Sequence, residues 1–141
     1  MIQTLYEKAL AVFPHAYAPY SRFQVSAAVL SASGKIYVGC NVENLRFGAT
    51  LCAERVAISA AVTAGERDFK EILILTDTPE PVPPCGLCRQ IISEFSNNIL
   101  IHSTTIRGGT GDILSVSIEQ LLPLSLPHDL LQKRPAHETL S

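Results

Sequence analysis

The chain has 141 residues, 47% of them apolar, which is the size of one domain and enough for one well-covered core. Its 11 Lys+Arg against 13 Asp+Glu give a net charge of −2 with no basic run, which argues against a nucleic-acid or anionic-membrane partner, since phosphate neutralisation needs clustered cations. No apolar run reaches the roughly 18 residues of a membrane-spanning helix, and the start MIQTLYEKALAVF lacks the basic opening of a signal peptide, so a cytoplasmic protein is expected.

Ile2, Leu5, Tyr6, Ala9, Leu10 and Phe13 recur at helical spacing, and Pro14 closes that segment. After the loop AYAPYSR, residues 23–30 read as a strand, SASG (31–34) as a turn and 35–43 as the returning strand of an antiparallel hairpin. The Ala-rich stretch 51–64 is apolar nearly all the way round and predicts a buried helix, with Gly65 as its C-terminal cap. EILILT (71–76) is a continuous apolar run of the kind found in a central parallel strand. The proline segment 79–84 leads into a helix at about 85–96, with Asn97 and Asn98 suited to a cap. ILIHST (99–104) follows as another strand. GGTG (108–111) is a turn, and LSVS (114–117) fits a short strand or a linker. Ser117 and Gln120 form a capping box opening a last short helix. Helices alternate with strands after the hairpin, so the fold class is α/β. We expect a three-layer α/β/α domain over residues 1–132, with a mixed sheet, an antiparallel N-terminal hairpin and parallel later strands. A polar tail, 133–141, completes the chain and is expected to be mobile.

The chain has four cysteines: Cys40, Cys52, Cys85 and Cys88. In a reducing compartment a Cys-x-x-Cys pair is more often metal-binding or catalytic than a disulfide. Cys52 and the Cys85/Cys88 pair both sit at loop-to-helix junctions. Such junctions gather at the carboxyl edge of an α/β sheet, and helix N-termini there favour thiolates. Three thiolates with an open fourth position is a catalytic arrangement for Zn²⁺. Cys40 lies in a strand and reads as a buried thiol. His15, His102, His128 and His137 lack ligand spacing to either motif and read as surface or core histidines. Glu54, two residues past Cys52, is placed to carry protons beside such a centre, although a glutamate in a first helical turn is common for electrostatic reasons alone. A thioredoxin-type pair would leave Cys52 and Glu54 without a role, and a closed structural zinc site would need Cys40 or a histidine.

C-A-E, about thirty residues, then P-C-x-x-C is the pattern of zinc-dependent nucleobase and nucleoside deaminases. AYAPYSRFQV (16–25), GCNVEN (39–44), LCAERVAI (51–58), DTPEPVPPCGLCRQ (77–90) and EQLLP (119–123) resemble, in order, the successive signatures of the small homotetrameric cytidine deaminases. The resemblance runs over about residues 5 to 126. It implies the cytidine-deaminase-like fold, with Cys52, Cys85 and Cys88 as zinc ligands and Glu54 as proton shuttle. It implies Phe23 on the pyrimidine, Asn41 and Glu43 on the ribose hydroxyls, and the backbone of Ala53 and Cys85 on the base. Arg55 would donate to the thiolates and withdraw charge from the metal's ligands, with Arg89 a second candidate. Asn41 and Glu43, two apart on a strand, would share one face.

The implied reaction is hydrolytic deamination of cytidine and 2′-deoxycytidine to uridine and 2′-deoxyuridine, releasing ammonia, in pyrimidine salvage. Its partners would be a small-molecule nucleoside and, as a homotetramer, three further copies of the chain, with no nucleic acid and no membrane. Alternatives are a deaminase of another aminopyrimidine nucleoside (blasticidin-like, or a modified cytidine), a non-catalytic zinc-binding module, and a polynucleotide editor, against which the acidic balance argues. The chain departs from the family at Phe47 (usually Tyr), at Ser26 (usually Gly), and at Leu124 and Leu126 (often aromatic). These departures bear on substrate affinity rather than on the chemistry.

Overall fold

The computed structural model describes residues 1–127 and 129–131. Helix α1 (Ile2–Val12) ends in a 3₁₀ turn, Phe13–His15, as Pro14 requires. Strands β1 (Val25–Ser31) and β2 (Ile36–Cys40) form the expected antiparallel hairpin, in register Ser26 to Cys40 through Leu30 to Ile36. Helix α2 (Ala53–Thr63), strand β3 (Phe69–Thr76), helix α3 (Gly86–Ser93), strand β4 (Leu100–Thr105), strand β5 (Leu114–Ser117) and helix α4 (Ile118–Leu121) follow. The sheet order is β2-β1-β3-β4-β5.

The later strands follow a narrower rule than alternation suggests. β3 is central, and its parallel partner is β4; its other neighbour, β1, is antiparallel. LSVS is a true edge strand, antiparallel to β4, because the connection 106–113 holds no crossover helix. The capping box at α4 is present: Ser117 Oγ accepts from the Gln120 N–H at 3.3 Å, and Gln120 Oε1 accepts from the Ser117 N–H at 3.0 Å. The tail 133–141, His128 and His137 lie outside the described residues.

Strand alternation divides the core into two layers. Ile72 and Ile74 point to one face with Ala57, Ala61 and Ile92 from the α2 and α3 side. Leu73 and Leu75 point to the other with Leu5, Ala9 and Phe13 of α1. This gives the three layers. α2 is buried on one face only, through Ala53, Ala57, Ile58 and Ala61, while Ser59, Ala60 and Thr63 are exposed. Complete burial, expected from its composition, does not occur in the single chain: small alanines make a helix look apolar all round although only one side meets the sheet. The α2 end is a Schellman cap. Gly65, at φ +101°, donates to Val62 and Glu66 donates to Ala61, both at 3.0 Å. α3 ends sooner than expected, with Glu94 as its cap residue, so Asn97 and Asn98 lie beyond it.

At the other end of α2, a Cβ added to Gly39 of β2 would lie 2.5 Å from the Ala57 nitrogen and 2.8 Å from the Ala53 oxygen. The helix backbone therefore rests directly on the strand backbone, and this seat fixes where Cys52 and Glu54 stand.

Candidate metal centre and active site

Cys52 is the N-cap residue of α2, and Cys85 is the N-cap residue of α3, both with extended backbone. Their carbonyls accept the first helical bonds, from the Val56 N–H at 3.1 Å and the Arg89 N–H at 3.0 Å. Cys88 lies one turn into α3 and is fully buried. The three sulfurs lie within 4.8 Å of one another. Sulfurs around a tetrahedral zinc with bonds of about 2.3 Å are about 3.8 Å apart, so small side-chain rotations close this cluster onto the ion. Cys40 stands outside the cluster, half-buried, and burial pushes its thiol up.

The electrostatics suit a cation site. Burial works against ionisation of Cys85, but donation from the Cys88 backbone N–H and from the Cys88 and Cys52 thiols holds it below the ordinary thiol range. Burial pushes the Cys52 thiol up, with the charges of Cys85 and Glu54 adding to the rise. Cys88 is pushed up by burial and then by Glu54. Hydrogen bonds within the cluster therefore lower one thiol, and burial raises the other two. Three thiols and a carboxylate this close cannot ionise together without a cation, and a soft, three-sulfur donor set suits zinc.

Glu54, in the first turn of α2, is 5% exposed, and burial pushes its carboxyl up. It lines a cavity of about 230 Å³ together with Cys52, Ala53, Cys85, Phe23 and Asn41. The walls are completed by Val25, Ile74, Thr76, Val82, Pro83 and Pro84. Thr50 lines this cavity and also a neighbouring one, which holds Glu43, Tyr20, Ser21 and Phe47.

Asn41 and Glu43 end up at adjoining cavities for a reason the strand pattern missed. β2 stops at Cys40, and Val42 instead bridges Tyr17 on one side and Leu51 on the other. Asn41 is buried, its amide accepting from the Val25 N–H at 3.0 Å and donating to the Phe23 carbonyl at 2.8 Å. It thus shapes the loop that presents Phe23. Glu43 Oε1 accepts from the Tyr20 and Ser21 N–H groups at 3.0 and 3.1 Å, and Oε2 accepts from the Ser21 hydroxyl. The Ser21 hydroxyl leads the bonds that hold the Glu43 carboxyl below the usual carboxylate range.

Arg55 is half-buried and makes no hydrogen bond or ion pair among the described residues. Arg89 donates to the Pro84 carbonyl at 2.8 Å and to the Leu121 carbonyl at 3.1 Å, tying the loop before Cys85 to α4. His102 is a core histidine between Glu71 and Ser115, at 2.8 Å from each, and His15 is exposed. Sequence reasoning missed Thr50, Val82 and Thr76 as cavity walls. The available signal was the two-residue period of β3, which puts Thr76 on the face of Ile72 and Ile74.

A three-thiol centre at paired helix starts, beside a buried carboxylate and open to a cavity, defines a zinc-dependent hydrolase. The chain belongs to the family described as the cytidine and deoxycytidylate deaminase zinc-binding region, whose model matches residues 1–103. A cytidine deaminase of Sporosarcina psychrophila is 47% identical over 109 residues, 77% of this chain and 78% of that one. One from Halalkalibacterium halodurans is 42% identical over 123 residues, covering 86% and 90%. The crystal structure of cytidine deaminase from Burkholderia pseudomallei superposes with a TM-score of 0.81 at 40% identity, covering 87% of this chain and 97% of that one. These likenesses favour a cytidine deaminase over the blasticidin-like and non-catalytic alternatives.

Proposed function

We propose that this chain catalyses hydrolytic deamination of cytidine and 2′-deoxycytidine to the corresponding uridines, with release of ammonia. The observation that carries the reading is the meeting of Cys52, Cys85 and Cys88 beside buried Glu54 in one pyrimidine-sized cavity. Cys52, Cys85 and Cys88 would hold zinc, and the ion would supply the Lewis acidity that makes a water acidic. Glu54 takes the proton released there and delivers it to ring N3, which makes C4 electrophilic. The same carboxyl then carries a proton to the departing amine, serving as base and acid in turn. Burial suits it to this work, because a raised carboxyl is a better proton acceptor.

Phe23 faces the ring from the cavity wall, and the backbone of Ala53 and Cys85 offers polar groups to the base. Asn41 and Glu43 stand toward the sugar. Each retains hydrogen-bonding capacity beyond the loop contacts described above: one amide hydrogen on Asn41, and one lone pair on Glu43 Oε2. Arg55 would stand beside the thiolates and draw charge from them. The reading extends to a cytoplasmic enzyme of pyrimidine salvage, acting as a homotetramer on free nucleosides rather than on nucleic acid or at a membrane. No helix among the described residues is long and apolar enough to cross a membrane. The exposed Phe47, Leu45, Tyr20 and Leu126 support an assembly that covers them.

The decisive assay follows the ultraviolet change as cytidine becomes uridine, with wild type and Glu54→Gln compared at equal zinc content. The amide preserves size and hydrogen bonding but cannot carry a proton. Turnover should fall by about 10²–10⁴-fold or more. Turnover near the wild-type rate would remove Glu54 from the reaction.

A further inference from the structure

We propose that Thr76 is a specificity-determining residue: an acceptor-only hydroxyl in the depth of the cavity that favours a ring amine over a ring carbonyl, and so substrate over product. This rests on the deamination proposed above, because that reaction exchanges the one group for the other. The C4–N bond breaks and leaves as ammonia, and a C4–O bond forms to the oxygen of water.

The hydrogen count fixes the polarity of Thr76. Its Oγ1 lies 2.7 Å from Thr78 Oγ1, and Thr78 Oγ1 donates to the Glu80 carbonyl at 2.6 Å. A carbonyl only accepts, so the single hydroxyl hydrogen of Thr78 is committed there. The hydrogen between the two threonines must then come from Thr76. Thr76 has no hydrogen left to give and keeps its lone pairs. It is 1% exposed and lines the cavity at the end of β3.

The shape of the cavity says which edge of a ring meets it. The sugar side is where Thr50 joins the neighbouring cavity that holds Glu43. Phe23 and Leu51, at 41% and 40% exposed, stand at the open side, while Ile74 and Thr76, at 2% and 1%, line the cavity's depth together with buried Ala53 and Glu54. A pyrimidine carrying its sugar toward Thr50 brings its far edge, the one that changes in the reaction, toward Thr76. An amine donates into the waiting lone pair. A carbonyl meets it lone pair to lone pair, which disfavours product without a clash of size.

The test compares zinc-loaded wild type with Thr76→Val, Thr76→Ser and Thr78→Val. The readouts are KM for cytidine and the uridine Kd by calorimetry, with metal content and Tm as checks on folding. In Thr76→Val the ratio of uridine Kd to cytidine KM should fall by about three- to tenfold, the worth of one neutral hydrogen bond. Thr76→Ser should restore the wild-type ratio. Thr78→Val releases the Thr76 hydrogen to turn into the cavity, so uridine should bind several-fold tighter while cytidine KM holds. An unchanged ratio in Thr76→Val, or equal weakening of both ligands, would overturn the inference. Should Thr76→Val fail to fold, unchanged uridine affinity in Thr78→Val overturns it alone. Wild type that forms no uridine from cytidine is a separate outcome and sinks the deaminase reading itself.

Discussion

Gly39→Ala tests whether the seat of α2 on β2 sets the geometry of the centre. The new Cβ would stand 2.5 Å from the Ala57 nitrogen, 2.8 Å from the Ala53 oxygen and 2.9 Å from the Val56 Cβ. Two of these three are backbone atoms of α2, so no side-chain rotation relieves the overlap. Normal separations of about 3.5 Å require the helix to lift by about 1 Å. Overpacking of this kind costs about 1–3 kcal/mol, which for a chain of this size lowers Tm by about 3–10 °C. The functional effect should be larger than the loss of stability. The lifted segment carries Cys52 at its N-cap and Glu54 in its first turn, while Cys85 and Cys88 stay on α3. A misplacement of about 1 Å between groups that must act together costs about 10²-fold in turnover. Zinc content, Tm and kcat of the variant should all fall, measured by elemental analysis, calorimetry and the ultraviolet assay. A variant with wild-type zinc and kcat would refute the argument that Gly39 positions the site.

Cys52→Ala should lose zinc and Cys40→Ala should retain about one atom per chain; elemental analysis giving the reverse would sink the ligand assignment. Phe47→Tyr and Leu126→Phe should each lower KM several-fold with little change in kcat, from one hydrogen bond and one stacking face worth about 0.5–1.5 kcal/mol apiece. The Glu66 carboxylate accepts from the Ser31, Ser33 and Tyr37 hydroxyls, and the Ser31 bond first, then the Ser33 bond, hold it below the usual carboxylate range. A depressed folded value means that this clamp stabilises fully above the ordinary glutamate range and fades as pH falls through the lowered value. Wild type should therefore exceed Glu66→Gln in Tm at neutral pH, with the gap closing in acid; a gap that widens in acid contradicts the assignment.

The cysteine pattern was legible because metal chemistry restricts residue type. Thiolate donors at two helix starts leave a signature that does not depend on packing detail, and the helix starts themselves are written in the prolines before Cys85 and the cap at Cys52. The hairpin, the capping box and the Gly65 cap were legible for the same reason: each depends on a few neighbouring residues. What local pattern could not supply was which side of an element meets what. α2 reads as apolar on every side, yet the sheet covers one face. The paired positions 41 and 43 read as one strand face, yet the ladder stops at Cys40 and their side chains are partly taken up by the 20–25 loop. That loop lies about twenty residues away in sequence, and the bridge of Val42 to Tyr17 and the bonds of Asn41 and Glu43 to residues 20–25 bring it there.

The departures from the family sort themselves by the same distinction. Ser26 is fully buried, and its hydroxyl donates to the Ala9 carbonyl of α1 at 2.8 Å, so its consequence is absorbed on the α1 face of the sheet, away from the cavity. Leu124 has φ +54° and is fully exposed, and Leu126 is 67% exposed; neither lines the cavity of its own chain. Of these positions Phe47 alone lines one of the two cavities described above, edge-on to Tyr20 with ring centroids 6.3 Å apart, beside Glu43. A change at the sugar side can alter how firmly a nucleoside is held. It would leave untouched the proton path proposed above, between Glu54 and the cysteine cluster at the helix starts. The proposed reading therefore assigns affinity and chemistry to different segments: the 20–25 and 41–50 loops on one side, and the starts of α2 and α3 on the other. On that separation a chain can drift at Phe47 and still keep Cys52, Glu54, Cys85 and Cys88, the residues to which the reaction is assigned.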